Sequence, residues 1–347
     1  MKKLLWVRRF SSHVNVKTQP SERIYHYNPH LIEWNDRENL LRLIVDNIIY
    51  NKDGIIAINK PCGLPISGSS ATITEKHDIT PPEVLTLSDI APDLCKHLQI
   101  NDIIMVKSLL RKYSGIILLS TDKIIAEKLQ KALSYNKCQK LYNQIFWALC
   151  VGVPVAGFSN GQKDIYLKEI KTKENINRYT MTDQISNSLI TRREVHKHDI
   201  ACECISRNDD TNSSYFKFST NSIKHHCLNI FAAQKLLCPI LGDHFYSQQL
   251  KFLNTFNSRV LIHPSECEYK SQHLPPQTKR ALSPLFPKID SPNSSSGQTY
   301  DIPCMLHLGS LTLRIPWVND SNSAEDLTIS CPPPPLFTKT KSLLELD

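Results

Sequence analysis

The chain of 347 residues is 41% hydrophobic and carries a formal net charge of +8 at pH 7. That length admits one large domain or two of about 100–200 residues each. No uninterrupted apolar run approaches the roughly 20 residues that a transmembrane helix requires, which excludes a bilayer-spanning helix and makes a soluble globular protein the expectation.

Residues 1–21 carry Lys2, Lys3, Arg8, Arg9 and Lys17, several hydroxyl side chains, and no acid before Glu22. This is the composition of a mitochondrial transit peptide and predicts a matrix protein. Leu4, Leu5, Val7 and Phe10 can share a helical face opposite the bases, and Arg8-Arg9-Phe10-Ser11 resembles a presequence cleavage site. A secretory signal fits worse, because the apolar core is short and interrupted, and a disordered basic tail is the plainer alternative. The charge points to an acidic partner, commonly nucleic acid. However, residues 1–10 contain four bases and no acid, so their removal leaves only +4. Charge alone therefore does not establish RNA binding.

Residues 22–47 read as an N-terminal extension, with Leu40, Leu41, Leu43 and Ile44 spaced for a turn or two of amphipathic helix. Ile48-Ile49-Tyr50, the turn signature Asn51-Lys52-Asp53-Gly54 and Ile55–Ile58 predict a β-hairpin. It ends in a loop, Asn59 to Pro65, in which prolines and a glycine present Lys60. Residues 68–82 are loop-like, 84–99 have helical spacing, and Ile103–Val106 is a candidate strand. Ser114-Gly115 is expected to break the chain before a second apolar run, Ile116–Leu119. Ser120-Thr121-Asp122 then caps a helix over 122–135 whose Ile125, Leu129, Ala132 and Leu133 face the core.

A strand introduced by Lys140-Leu141-Tyr142 runs through Val151, and 158–215 is polar and predicts no element. Periodicity returns at Tyr215–Phe218 and Cys227–Phe231, followed by a short helix over Ala232–Leu237 and a turn at Cys238–Asp243. Residues 291–297 are a loop, Cys304–Leu313 alternates as a strand, and Pro332–Pro335 favour an extended Pro-rich tail from 319 onward. Many strands with few, non-alternating helices predict an α+β protein. Of eleven cysteines only Cys202 and Cys204 are close in sequence, and there is no C-x-x-C pair. His196, His198, His225 and His226 do not complete a zinc pattern, so no metal is expected. Disulfides are disfavoured in a reducing compartment.

Three segments, in order between Ile48 and Pro316, resemble the RluA family of RNA pseudouridine synthases. Asp53 to Leu64, with Lys60-Pro61-Cys62-Gly63, is similar to the family's strand ending in Lys-Pro-x-Gly. Tyr113-Ser114-Gly115 and the leucines after it resemble the end of the motif H-R-L-D-x-x-T-S-G. Cys238 to Tyr246, with Gly242-Asp243, resembles P-I-x-G-D-x-x-Y, and Leu306-His307 falls where a late L-H strand is expected. The details look closest to the family's mitochondrial branch.

The resemblance implies a mixed, largely antiparallel sheet with flanking helices and a central RNA-binding cleft over 48–318, with no cofactor. Its partners would be mitochondrial mRNA or rRNA and other RNA-processing proteins. It also implies an aspartate that frees uracil from ribose and an arginine, in a later H-Q-I-R segment, that holds this aspartate charged. Aligned on Ser114-Gly115, the aspartate position is Leu110, and the preceding histidine and arginine are Lys107 and Ser108. The supporting arginine falls around Leu228 or Asn229, within one residue.

The chemistry is therefore expected to be absent, leaving Lys60, Lys107, Arg111 and Tyr142 to line the cleft. Tyr142 matches the base-stacking tyrosine, with a half-buried strand residue as the bland alternative. Pro61, Gly63, Ser114, Gly115, Gly242 and Asp243 are expected to be structural. The competing expectation is an active enzyme in which Asp102 or Asp243 substitutes for the lost acid. A vestigial scaffold is the third.

Overall fold

The computed structural model describes residues 36–67, 85–155, 160–171, 177–253, 258–262, 272–287, 302–315 and 325–347. The expected transit peptide and the loops predicted at 68–82 and 291–297 lie outside the described residues. Helix α1 (Arg37–Asp46) is capped by Asp36, whose carboxylate accepts from the amides of Glu38 and Asn39. Its Leu40 and Ile44 are buried in the main core, so the folded body begins before residue 48. The predicted hairpin forms as β1 (Ile48–Lys52) and β2 (Ile55–Lys60), with Lys52 opposite Ile55.

Helix α2 (Leu87–His97) opens on a reciprocal cap between Thr86 and Asp89. Strands β3 (Ile104–Lys107) and β4 (Ser114–Ser120) follow. Ser114 and Gly115 do not break the chain; they begin β4. Helix α3 (Lys123–Cys138) is capped by Asp122 and buries Leu129 and Ala132, as its spacing predicts, with Ile125 and Leu133 packed partly against the core.

Strand β5 (Gln144–Val151) leads into the segment that predicted nothing, and this segment is mostly sheet. It holds β6 (Gly161–Lys171), β7 (Asn177–Met181), the short α4 (Asn187–Thr191), β8 (Val195–Asn208) and the start of β9 (Ser213–Thr220). Its pattern is weak because these strands have a charged outer face, while His198 and Cys202 take inward positions beside Ile165, Leu167 and Ile200. Helix α5 (Cys227–Ile230) continues into a π-turn over Phe231–Lys235, so the helix predicted at 232 begins earlier.

The remaining elements are β10 (Leu250–Leu253), β11 (Ser258–Leu261), α6 (Pro276–Leu282), β12 (Leu306–Ile315), β13 (Glu325–Ser330) and α7 (Pro335–Leu343). An extended tail is not what forms from 325 onward. Pro335 sits in the first turn of α7, where a missing amide costs nothing, and Phe337, Leu344 and Leu346 are buried.

The main sheet has eleven strands, with the path β1-β2-β4-β12-β5-β9-β8-β6-β7 and with β3 and β13 paired to β4 and β12. Every pairing is antiparallel except β4 with β12. Period-two alternation divides β5 between two cores. Phe146, Ala148 and Cys150 enter the large cluster shared with α1, α2 and α5. Leu149 and Val151 enter the smaller one shared with α6 and α7.

Candidate functional site

Lys60 ends β2 and is fully buried rather than presented by the following loop. Its ammonium donates to the carbonyls of Pro61 (3.0 Å), Leu64 (3.1 Å) and Arg111 (3.1 Å). Three acceptors use all three N–H donors of a lysine, so none remains for a phosphate, and Lys60 supports the site from beneath. Burial lowers its pKa to about 7. The same clamp includes the Gly63 amide on the Arg111 carbonyl (2.8 Å) and Arg111 Nε on the Gly63 carbonyl (3.0 Å). Lys60-Pro61-x-Gly63 is thus the element that fixes the turn carrying Arg111.

Gly115 lies at φ +117°, and a Cβ there would stand 2.3 Å from the Leu308 carbonyl oxygen. This close approach is where β4 and β12 pair in parallel, His307 opposite Ser114. The Ser114 hydroxyl and His307 Nδ1 share a 3.0 Å hydrogen bond, and Cys331 Sγ lies 3.5 Å from Nε2. Burial pushes His307 down to about 4, so it is neutral. Ser-Gly and Leu-His, apart in sequence, are one seam. Gly242, at φ +80°, is packed likewise: a Cβ would lie 2.1 Å from the Pro303 oxygen.

Leu110 occupies the turn before β4, half-buried against the main core, and its carbonyl accepts from the Tyr113 amide. Beyond it runs a buried polar chain. The Tyr113 hydroxyl donates to Asn229 Oδ1, and Asn229 Nδ2 donates to Asp243 Oδ2 at 2.9 Å. Asp243 Oδ1 accepts the amides of Phe245 and Tyr246. Of the two positions left open for the supporting residue, Asn229 is the one whose side chain reaches the Tyr113 turn.

Lys107 ends β3 and donates to Gln144 Oε1 at 2.8 Å, with its pKa lowered by burial to about 8. Tyr142 precedes β5, half-buried, and its hydroxyl meets no hydrogen-bond partner among the described residues. Burial and the carboxylates of Asp199 and Asp164 raise its pKa, against an opposing effect of Lys197. Those three groups form a cluster that sequence reasoning missed. Asp164 and Asp199 are cross-strand partners on β6 and β8, and Lys197 lies 2.5 Å from Asp164 and 3.3 Å from Asp199. The Lys197 bond lowers the pKa of Asp164, while burial raises that of Asp199, so Asp199 holds a proton longer. Only strand pairing could bring these residues together. Asp102 lies elsewhere, close enough to raise the thiol pKa of Cys95 in α2.

The other face of β8 presents His196 and His198, and here too distant residues meet. His198 Nε2 is 3.1 Å from His225 Nδ1, and His196 stacks on His225 with ring centroids 4.0 Å apart. No group of three or more His, Cys, Asp or Glu side chains able to hold a metal occurs among the described residues.

Among solved structures, the fold is similar to human RNA pseudouridylate synthase domain containing 4. The TM-score is 0.60 with 21% identity, covering 90% of this chain and 97% of that one. Human mitochondrial mRNA pseudouridine synthase RPUSD3 is 25% identical over 322 residues, 89% of this chain and 79% of its own length. The chain is thus similar to the RluA-type pseudouridine synthases, and to RPUSD3 and RPUSD4 among them. Pseudouridylate synthase RPUSD4 of Xenopus tropicalis is 24% identical, covering 88% and 82%. No family model matches the chain. The α+β architecture with a mixed, mostly antiparallel sheet is that of the family.

Proposed function

We propose that this chain binds mitochondrial RNA in the cleft of a pseudouridine synthase fold without itself isomerising uridine. The observation that carries the reading is Leu110, in register with the family's nucleophilic aspartate. Isomerisation requires a carboxylate beside a base turned out of its helix, and leucine has no ionisable group. Asn229 supports the same reading, since a neutral amide bonded to Tyr113 and Asp243 cannot serve as counter-ion to a carboxylate.

Lys107, Arg111 and Tyr142 are the proposed contacts, with Tyr142 stacking on an unpaired base, an interaction worth about 1–3 kcal/mol without chemistry. The mitochondrial relatives and the basic residues 1–21 support a transit peptide, a matrix location and a mitochondrial mRNA or rRNA as ligand. The role would be in RNA modification or mitoribosome assembly, alongside other RNA-processing proteins. Incubating the purified protein with mitochondrial RNA and mapping pseudouridine tests this. RNA crosslinks to the Arg111–Tyr142 region with no new pseudouridine are expected, and modification by the isolated protein refutes it.

An active enzyme with a substitute acid is the second reading, and one observation favours it. Asp199, the carboxyl with the raised pKa, lies near Tyr142 with Lys197 behind it. Asp243 is already engaged by Asn229 and two turn amides. If turnover is found, Asp199→Asn abolishes it on this reading; turnover that survives the change removes Asp199 as the acid.

A further inference from the structure

The histidines that form no metal site stand among aromatic and basic side chains. Tyr179 on β7 lies 4.5 Å, centroid to centroid, from His225, which in turn stacks on His196 at 4.0 Å. All three are half-buried, neither sealed in the core nor fully exposed. Lys137, at the end of α3, is close enough to depress the pKa of His196, His198 and His225, as Lys224 is for the last two and Arg193 for His196. These three cations are exposed and have no ion-pair partner among the described residues. Glu169, opposite Tyr179 on β6, is an acid close enough to raise the pKa of Tyr179 and to oppose the lowering at His196.

Packing explains His198, which is buried and bonded to His225. It does not explain the backbone, in which His225 (φ 60°) and His226 (φ 54°) are successive non-glycine residues in the left-handed region. Such strain persists where the surroundings enforce it, often at ligand sites. Here it turns the His225 ring onto His196 immediately before α5, the helix that carries Asn229. Tyr179 is held just as firmly. Gln234 in the π-turn accepts from the Met181 amide at 2.8 Å and donates to Thr180 at 3.1 Å. Burial keeps the imidazoles neutral near pH 7, with His198 at about 3 and His225 at about 4. The charge thus sits on the rim and the rings in the middle, Tyr179 tilted 45° to His225 and edge-on to His196.

We infer that Tyr179, His225 and His196, rimmed by Lys137, Arg193 and Lys224, form a stacking platform for an unpaired nucleobase of a single-stranded RNA, separate from the Leu110 site. Aromatic faces within a basic rim are how sequence-tolerant single-strand sites are built: the rings take bases and the cations take phosphates. On this arrangement the phosphates run along the Lys137–Lys224 side, away from Glu169. The inference rests on the RNA binding proposed above and places a flanking nucleotide outside the cleft.

The test is fluorescence anisotropy of a short fluorescein-labelled, unstructured oligoribonucleotide with the full chain. Tyr179→Ala should weaken binding about 5- to 140-fold, the range for loss of one stacked base, and Tyr179→Phe should restore it. The exposed pair Lys137→Ala/Lys224→Ala should leave thermal melting unchanged. It should also flatten the dependence of log affinity on log salt by about 1.4, or roughly 0.7 per lost phosphate contact. Unchanged affinity in Tyr179→Ala, or an unchanged salt slope in the lysine pair, while Arg111→Ala weakens binding, overturns the platform and leaves the cleft reading standing. No binding by the wild-type chain overturns both.

Discussion

Replacing Asn229 with leucine, which keeps the branched shape, tests whether a neutral bridge joins the Tyr113 turn to the Gly242-Asp243 turn. The change removes the acceptor of the Tyr113 hydroxyl and the donor to Asp243 Oδ2, both buried. Each bond lost by a buried polar group costs about 1–3 kcal/mol, with the carboxylate at the upper end. Leucine leaves no cavity but its bulkier methyls add a cost of overpacking, and the expected loss is at least about 3–5 kcal/mol out of a typical 5–15. Urea unfolding followed by far-UV circular dichroism measures this, provided the m-value is unchanged.

Tyr113→Phe alone should cost about 1–2 kcal/mol. The double variant Tyr113→Phe/Asn229→Leu should cost less than the sum of the two by about 1 kcal/mol, since the pair is lost together. A loss below about 1 kcal/mol for Asn229→Leu, or strict additivity in the cycle, would show that the bridge does not hold the two turns.

Three further outcomes follow from the same geometry. The pKa of Lys60 is about 7 in the folded chain against an ordinary 10.5, so between those values the unfolded chain binds the extra proton and stability rises with pH. The slope approaches about 1.4 kcal/mol per pH unit near pH 8. Chemical denaturation from pH 7 to 9 should show that slope reduced in Lys60→Met, and an equal slope in both proteins refutes the assignment. Gly115→Ala should lose more than about 3 kcal/mol or fail to fold, since its Cβ meets the Leu308 backbone, which cannot give way; a near-neutral melting temperature would be inconsistent with that contact. Phe337→Ala should cost about 3–5 kcal/mol by emptying the core under α7, whereas a truly extended tail would register almost nothing.

Local signals were sufficient for the hairpin at Asp53-Gly54, the Asp122-capped helix and the apolar strands β4 and β5, because each depends on residues a few positions apart. They failed where partners decide. Lys60 reads as a loop charge until three carbonyls are folded around it. Ser114-Gly115 reads as a break until β12 pairs alongside it. Four prolines read as a tail until α7 is seen to cover a core.

The sequence by itself determined that a pseudouridine synthase fold is present, since motif order and residue type survive without any knowledge of space. Only the tertiary structure decided which residues distant in sequence meet. The Tyr113–Asn229–Asp243 chain, the Asp164–Asp199–Lys197 cluster and the Tyr179–His225–His196 stack join strands and turns separated by up to a hundred residues or more. Sheet pairing and burial set those contacts, and neither is encoded in the spacing of neighbouring residues.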